Sequence, residues 1–214
     1  MRAEDVPEIA SLHMDLFPDY LLSRLGRRFL MRFYEWHVSR DGVLTTVFTD
    51  DSGVARGFIV GGATKTEYYR MVLRDLWTHF ALQMLRYSLR NPAMMARTVF
   101  HRAYLIVRLP QRCPNRARRS TPVATLGAPP EGFLAYIGLA ELMRGTGAAA
   151  AMLAAFEQTA WNAGYRALTL GVRRDNREAR RFYEKNHWLE SGTEADLVTY
   201  HKILHCGSAT ASTP

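Results

Sequence analysis

The N-terminal part of the chain carries apolar residues at helical spacing, which predicts two helices. Asp5 stands shortly before Pro7, and an aspartate followed by a proline suits the cap and first turn of a helix. Further along, apolar residues recur at intervals of three or four positions, at Leu22, Leu25, Phe29, Phe33 and Trp36. We therefore expect one helix that Asp5 caps and a second, continuous helix over about 21–37.

The pattern becomes β-branched after Gly42. Residues 43–49 have the sequence Val-Leu-Thr-Thr-Val-Phe-Thr, and residues 57–62 have the sequence Gly-Phe-Ile-Val-Gly-Gly, so both segments are predicted strands. The Asp-Asp-Ser-Gly sequence between them is typical of a turn. The two strands are therefore expected to pair as a hairpin.

A basic segment follows this hairpin. Its pattern is helical from Thr66 to Leu109, and the break at Asn91-Pro92 predicts a second helix from Pro92 to Val107. The Pro-, Arg-, Ser- and Thr-rich residues 110–130 predict a loop. Between Lys65 and Arg119, 12 Lys and Arg residues outnumber two acidic ones, so this segment carries +10 and leaves −2 of the net charge of +8 to the rest. We expect a single domain of residues 1–214, with residues 65–130 as a basic helical insert and loop within it.

The second half of the chain alternates strands and helices. Strands are expected at 133–139, 166–172 and 197–204. Helices are expected from the glycine-rich stretch near 147 to about Asn162, where Gly164 closes the helix, and again over 176–186. This alternation predicts an α/β fold.

Composition narrows the functional class. An apolar content of 48% and a charged content of 22% are typical of a soluble globular protein, and no apolar run reaches the roughly 18 residues that a membrane span needs. Cys113 and Cys206 give neither a disulfide framework nor metal-ligand spacing, and the histidines are scattered. We expect no metal and a cytoplasmic location, with attachment to a membrane surface left open by the basic segment.

One stretch, from Met143 to Leu153, has the sequence MRGTGAAAAML. Its glycines permit unusual backbone angles, and the alanines after them favour a helix. A helix N-terminus attracts anions through its unpaired amides and its dipole, so this stretch is a candidate anion-binding loop. An ordinary glycine-marked turn into an Ala-rich helix is the alternative.

The order strand, glycine loop, helix, strand, Asn-led helix resembles the acetyl-CoA core of the GNAT superfamily of N-acetyltransferases. The loop of that family has Arg or Gln, two residues, Gly, one residue and then Gly or Ala, and residues 144–149 match it fully. A second signature has Asn, two residues, Ala and soon Phe-Tyr-Glu-Lys, and residues 176–185 match it. The resemblance covers 133–188 and, more loosely, 5–62. It implies a mixed, mostly antiparallel central sheet flanked by helices, with the basic insert between two strands.

The resemblance also implies acetyl-CoA as the acyl donor. In the family, the loop amides hold the pyrophosphate of coenzyme A, the preceding strand pairs with the pantetheine arm, and a backbone amide near Leu139 polarises the thioester carbonyl. The implied cofactor-binding residues are Ile137, Gly138, Leu139, Arg144, Gly145, Thr146, Gly147, Ala148, Ala149 and Asn176. Side chains of the strand can pack in the core at the same time, and Asn176 can simply cap its helix.

Tyr183 takes the catalytic role in this resemblance, as the acid that protonates the leaving thiolate. Packing of its helix is the alternative role. The chain departs from the family at His187-Trp188, where Gly-Phe is usual, and at its N-terminus, where the usual first strand is nearly absent. The pattern identifies no general base, although Glu141, His79 and Glu67 are candidates.

The implied reaction is acetyl transfer to an amine of a small molecule by direct attack in a ternary complex. An amino-sugar or phosphate-bearing acceptor is favoured, because the guanidinium group of arginine can bind phosphate through two hydrogen bonds. Alternatives are a longer acyl donor on CoA or on a carrier protein, and a non-catalytic CoA-binding module. Nucleic-acid binding is disfavoured, and a homodimer is left open.

Three roles are open for the basic insert. It can pack on the core with its arginines solvated, cover the acceptor site as a lid, or lie on an acidic surface such as a membrane or an acidic partner. Helical spacing places Arg70 and Arg74 on one side of the first helix and Leu73 and Trp77 on another.

Overall fold

The computed structural model describes residues 1–90 and 130–205, with only the backbone for residues 88–90. The chain falls into two compact units, Met1–Trp77 with Pro129–Pro214, and Thr78–Ala128. The first unit contains the sheet, and the described part of the second is the helical segment of residues 78–90. The predicted helix from Pro92 to Val107, the loop after it up to residue 129 and the tail after Cys206 lie outside the described residues.

The described helices and strands alternate as the sequence pattern predicts. The helices are α1 (Val6–Leu16), α2 (Leu21–Arg24), α3 (Arg27–Ser39), α4 (Lys65–Arg90), α5 (Ala148–Asn162) and α6 (Arg177–Lys185). The strands are β1 (Val43–Thr49), β2 (Ala55–Gly62), β3 (Glu131–Leu139), β4 (Ala167–Arg173), β5 (Leu189–Glu194) and β6 (Leu197–Ile203). Short 3-10 turns lie at Ala3–Asp5 and Glu141–Met143.

The six strands form one sheet in the order β1-β2-β3-β4-β6-β5. All neighbouring pairs are antiparallel except β3 and β4, which run parallel because α5 carries the chain back between them. Helix α5 packs its apolar side against this sheet through Met152, Leu153 and Phe156. The predicted mixed, mostly antiparallel sheet with flanking helices is confirmed.

Two local predictions are wrong, and one strand was not predicted. The helix expected over 21–37 is two helices, because Gly26 takes a φ of 91° that no continuous helix contains. Asp5 does not cap α1 with its side chain, which instead accepts a 2.6 Å hydrogen bond from the amide of Arg2. Strand β5 has no counterpart in the sequence prediction.

The first turns of α4 are fixed to α3 by two polar contacts. The Nδ1–H of His37 donates to the carbonyl of Phe33 (2.7 Å), so its Nε2 accepts from the hydroxyl of Tyr68 (2.7 Å). The indole of Trp36 donates to Asp75 (3.0 Å). This part of the insert is therefore anchored to the first unit.

The exposed side of α4 differs from the prediction. Leu73 and Trp77 were expected on a different side from the arginines, but they line one open groove together with Arg70 and Arg74. Leu73 is 52% exposed and Trp77 is 59% exposed. The residues that face the core are Tyr68 and Leu76, so the exposed side of this helix mixes aromatic, apolar and basic groups.

Candidate functional site

The sheet opens between β3 and β4. Strand β3 pairs with β2 as far as Leu139, but its ladder with β4 ends after three pairs, at Phe133 and Thr169. Beyond that point β4 continues to pair with β6 on its other side. In the described part of the chain, the edge of β3 from Leu134 to Leu139 therefore has no partner strand, and its backbone groups can bind a ligand.

The direction of the amides at the end of β3 follows from one hydrogen bond. The amide of Ala140 donates to the carbonyl of Arg56 on the β2 side (2.7 Å). Successive amides of an extended segment point to opposite edges, so the N–H of Leu139 points away from β2 and toward the opening. The N–H of Leu139 can therefore donate a hydrogen bond to a carbonyl oxygen that lies in the opening.

The glycine loop follows the 3-10 turn at the end of β3 and leads into α5. Gly145 and Gly147 have φ values of 78° and 85°, which is why glycine suits both positions. The amides of Gly145, Thr146 and Gly147 make no backbone hydrogen bond within the described residues. The Thr146 hydroxyl donates to the carbonyl of Met143 (2.8 Å) and fixes the loop.

These features fit a phosphate group. The loop and the Arg144 side chain are exposed, and a Cβ built at Gly145 or Gly147 would meet no atom within 4 Å, so no neighbouring group crowds the two glycines. The amide of Ala148 donates to the Thr146 hydroxyl (3.3 Å), while those of Ala149 and Ala150 add unpaired donors at the positive end of the helix dipole. Ala148 and Ala149 keep this first turn small.

Asn176 is the N-cap of α6. Its side-chain oxygen accepts a hydrogen bond from the amide of Ala179 (3.0 Å). This capping role alone accounts for an asparagine at position 176, without any ligand. The side-chain NH₂ group can still donate two hydrogen bonds.

Tyr183 is 4% exposed, and the rings of Phe182, Trp188 and Tyr200 lie within 6.0 Å of its own. Burial raises the pKa of Tyr183 above its usual value, so the phenol carries its proton at neutral pH. Among the described residues its hydroxyl makes no hydrogen bond. The fully buried side-chain atoms there that lack a partner are His13 Nε2, Ser23 Oγ and Thr46 Oγ1, so the Tyr183 hydroxyl is not fully buried. The hydroxyl therefore retains accessible surface and a free proton.

The departure at His187-Trp188 preserves the expected turn. His187 takes a φ of 64°, the left-handed conformation in which a glycine usually ends a helix. The amide of Trp188 donates to the carbonyl of Tyr183 (3.0 Å), and that of His187 donates to the carbonyl of Glu184 (3.1 Å). Together these bonds form a Schellman motif, so α6 ends as it would with glycine.

An aromatic cluster lies on the α1 and α3 side of β3. The ring of Tyr136 lies 5.6 Å from that of His13 and 6.0 Å from that of Phe33. His13 Nδ1 lies 2.6 Å from the Tyr34 hydroxyl, and within the described residues its buried Nε2 has no partner. The sequence pattern misses this cluster because its members are far apart in the chain.

The three candidate bases are not brought together. Glu141 begins the 3-10 turn two positions after the end of β3 and is exposed. Glu67 accepts a hydrogen bond from Thr64 (2.9 Å) at the start of α4. His79 belongs to the second unit.

Two features are absent from residues 1–90 and 130–205. These residues contain no group of three His, Cys, Asp or Glu residues placed to hold a metal ion. None of their helices combines the length and the apolar content that crossing a membrane requires. Cys113 and Cys206 lie outside the described residues.

Comparison with known proteins gives one family and one fold. Residues 103–188 match the model of the acetyltransferase (GNAT) family. Among curated proteins, none has a sequence that matches the chain significantly.

Several solved structures share the fold at low sequence identity. The PaiA N-acetyltransferase from Thermoplasma acidophilum, solved with coenzyme A, is 12% identical (TM-score 0.55, 95% of each chain covered). A ribosomal-protein-alanine N-acetyltransferase from Brucella melitensis is 15% identical (TM-score 0.54, 95% of this chain and 97% of that chain covered). A GNAT-family acetyltransferase from Listeria monocytogenes is 13% identical (TM-score 0.54, 95% of this chain and 92% of that chain covered).

Proposed function

We propose that the chain is an acetyltransferase of the GNAT family, whose model matches residues 103–188, and that it moves an acetyl group from acetyl-CoA to an amine of a small molecule. The observation that carries the proposal is the opening between β3 and β4, whose free strand edge leads directly into the glycine loop. A thioester in the opening and a pyrophosphate at the loop would engage two adjacent sets of free backbone donors.

We assign the acetyl-CoA contacts to the residues that the family signatures mark. Arg144, Gly145, Thr146, Gly147, Ala148 and Ala149 bind the pyrophosphate. Ile137, Gly138 and Leu139 pair with the pantetheine arm as an added strand, and Asn176 adds a side-chain donor. The Leu139 amide donates to the thioester carbonyl, where negative charge develops as the amine attacks, and one such donor typically contributes about 10²–10³ in rate.

Tyr183 completes the reaction as general acid. The amine attacks the carbonyl carbon, the carbon–sulfur bond breaks, and the departing thiolate takes the proton of the Tyr183 hydroxyl. The proton that the amine loses passes to solvent or to a carboxylate, for which Glu141, two positions after β3, is the candidate, and solvent returns a proton to Tyr183 before the next turnover. The support for Tyr183 is its hydroxyl, which has no hydrogen-bond partner within the described residues and is not fully buried.

The acceptor in this proposal is an amino sugar or an amine that carries phosphate. The ring of Tyr69 on α4 packs 5.9 Å from that of Phe133 on β3, so the first turns of the basic insert lie beside the strand that lines the opening. Arg70 and Arg74 follow on the exposed side of the same helix. Guanidinium groups recognise phosphate oxygens bidentately, which suits this acceptor class. The same arginines could instead meet an anionic surface.

We also propose a cytoplasmic location. The chain has only two cysteines, and their separation by 93 positions suggests no small disulfide framework. Cell fractionation tests this directly, and recovery with the membrane fraction at high salt would contradict it.

The experiment is a thiol-release assay with acetyl-CoA and a panel of amines that includes amino sugars, aminoglycosides, polyamines, amino acids and phosphorylated amines. The proposal expects release that depends on one class of amine, with the acetylated product seen by mass spectrometry. Parallel reactions with longer acyl-CoA donors and with acylated carrier protein test the alternative donors. Binding of acetyl-CoA without turnover of any amine would replace the proposal with a CoA-binding module.

A further inference from the structure

A buried ion pair joins α5 to β6. Glu157 on α5 is 3% exposed, and both its carboxylate oxygens accept hydrogen bonds from the ammonium of Lys202 on β6 (2.8 and 2.7 Å). One of these oxygens also accepts from the indole nitrogen of Trp188 (3.0 Å). We call Glu157, Lys202 and Trp188 the Glu157 cluster.

A buried ion pair needs a reason beyond stability. The cost of removing both charges from water offsets most of their attraction, so apolar residues of similar size would often stabilise the fold as well. What the pair supplies is fixed geometry, since neither charge can turn away without losing its partner. The groups whose geometry it fixes are therefore informative.

The Glu157 cluster fixes the turn at the end of α6. Lys202 also donates to the carbonyl of Asn186 (2.9 Å), and Glu157 holds the ring of Trp188. Asn186 and Trp188 flank His187, whose left-handed conformation is unfavourable for a residue with a Cβ. The cluster thus holds a turn that the local sequence disfavours.

The same turn fixes Tyr183. The amide of Trp188 donates to the carbonyl of Tyr183 (3.0 Å), and its indole ring packs 5.7 Å from the phenol ring in an edge-to-face arrangement. Backbone and ring of Tyr183 therefore both contact Trp188. The hydroxyl itself has no partner within the described residues, so only its ring and backbone define where it lies.

We propose that Trp188, Glu157 and Lys202 are positioning residues that hold the Tyr183 hydroxyl where it meets the leaving thiolate. This inference rests on the proposed function, because it requires Tyr183 to act as the general acid. Placement errors of about 1 Å can cost 10²-fold in rate, so a fixed phenol matters to the chemistry.

The test uses Trp188→Phe, which removes the indole N–H but keeps an aromatic ring, and Glu157→Gln, which keeps an acceptor but removes the ion pair. Both variants should lower kcat about 10- to 100-fold with the acceptor found in the amine panel, and leave the KM for acetyl-CoA unchanged. Lys202→Gln should act in the same direction. Trp36→Phe is the matched control, since it also breaks a 3.0 Å indole–carboxylate bond, and it should leave kcat unchanged.

A double-mutant cycle separates positioning from packing. In a Tyr183→Phe background, Trp188→Phe should have little further effect on kcat, because the hydroxyl that it positions is already gone. Equal effects of Trp188→Phe in both backgrounds would overturn the proposal. If Tyr183→Phe alone leaves kcat unchanged, the acid role in the proposed function fails instead.

A spectroscopic readout tests the proposal without any acceptor. With 3-fluorotyrosine incorporated only at position 183, the folded wild-type protein should give one narrow ¹⁹F resonance, and Glu157→Gln should broaden or split it. Trp36→Phe should leave it narrow. An unchanged resonance in Glu157→Gln would show that the cluster does not hold the ring.

Discussion

The side chain of Tyr183 is buried, but its hydroxyl donates no hydrogen bond within the described residues, so its proton is available for transfer. Tyr183→Phe removes only this hydroxyl, so ring packing and affinity for acetyl-CoA should change little. Loss of a general acid should lower kcat about 10²–10⁴-fold. Steady-state kinetics with the identified acceptor measure this, and a normal turnover number, with chemistry shown to be rate-limiting, would remove Tyr183 from the mechanism.

His187 is a residue whose replacement should stabilise the fold. Its φ of 64° suits glycine, and the left-handed conformation costs other residues about 1–2 kcal/mol, part of which the greater backbone entropy of unfolded glycine offsets. His187→Gly should therefore raise the free energy of unfolding by about 1 kcal/mol and Tm by about 2–4 °C. Thermal unfolding measures the change.

The matched control for His187→Gly is Lys185→Gly, two positions earlier. Lys185 is the last residue of α6 and has helical geometry, so glycine should lower Tm there. A fall in Tm for both variants would contradict the strain attributed to His187.

The sequence marks candidate site residues where the signatures are local. The glycines of the loop and Tyr183 stand in short motifs, and in the structure the loop follows the end of β3, whose edge lacks a partner strand among the described residues. The Glu157 cluster escapes a sequence pattern because its partners lie 31 and 45 positions from Glu157. The one available signal was Glu157 itself, a charge among the buried positions Leu153, Phe156 and Ala160 of an Ala-rich helix.

At the level of elements, two buried histidines couple the packing of α1, α3 and α4 to pH. Burial lowers the pKa of both His13 and His37 from 6.5 to about 4. Between these pH values the unfolded chain binds more protons than the folded one. The contribution of the two histidines to the free energy of unfolding is therefore fully present above pH 6.5 and is lost as the pH falls toward 4. Each group should contribute a slope of up to about 1.4 kcal/mol per pH unit in this window.

Urea unfolding between pH 7 and pH 5 measures this slope. His37→Gln should reduce it by up to half, because one of the two groups no longer titrates. A free energy of unfolding that does not change over this range would contradict the assignment, since it would mean that neither histidine is held neutral by the fold.

The boundaries of elements were predictable where apolar pattern and turn chemistry agree. Strand β1 was predicted at its observed bounds, because β-branched residues run from Gly42 to the Asp-Asp-Ser-Gly turn. Strand β5 was missed because all its residues are exposed and only pairing with β6 makes it a strand. The break at Gly26 was missed because the apolar periodicity continues across it.

The exposed side of α4 gives a prediction about the acceptor. Replacing Arg70 and Arg74 with Gln should raise the acceptor KM and leave the affinity for acetyl-CoA unchanged, because the arginines would meet an anionic acceptor and not the loop. Kinetics with the identified acceptor measure both quantities. An unchanged KM with loss of binding to anionic liposomes would assign these arginines to a surface, and no change in either would make them solvated side chains only.

At the scale of the whole molecule, the fold class followed from the order of elements, but the opening of the sheet did not. The sequence shows β3, α5 and β4 in succession, which predicts neighbouring parallel strands. Nothing in it indicates that their ladder ends after three pairs, because the register of distant strands depends on packing of the complete sheet. The family resemblance implied that a thioester would lie near Leu139, but the early end of the ladder that leaves this strand edge free emerges only from the assembled structure.

The central claim is that acetyl-CoA binds at the glycine loop, and thermal unfolding with and without acetyl-CoA tests it most directly. At about 100 times its dissociation constant, the ligand should stabilise the wild-type protein by about 2.7 kcal/mol and raise Tm by roughly 5–11 °C. Gly147→Glu, which places a carboxylate among the loop amides, should abolish the shift. Gly164→Glu strains an equally positive φ at the other end of α5 and should keep it. A full shift in Gly147→Glu would contradict the claim and place the ligand elsewhere.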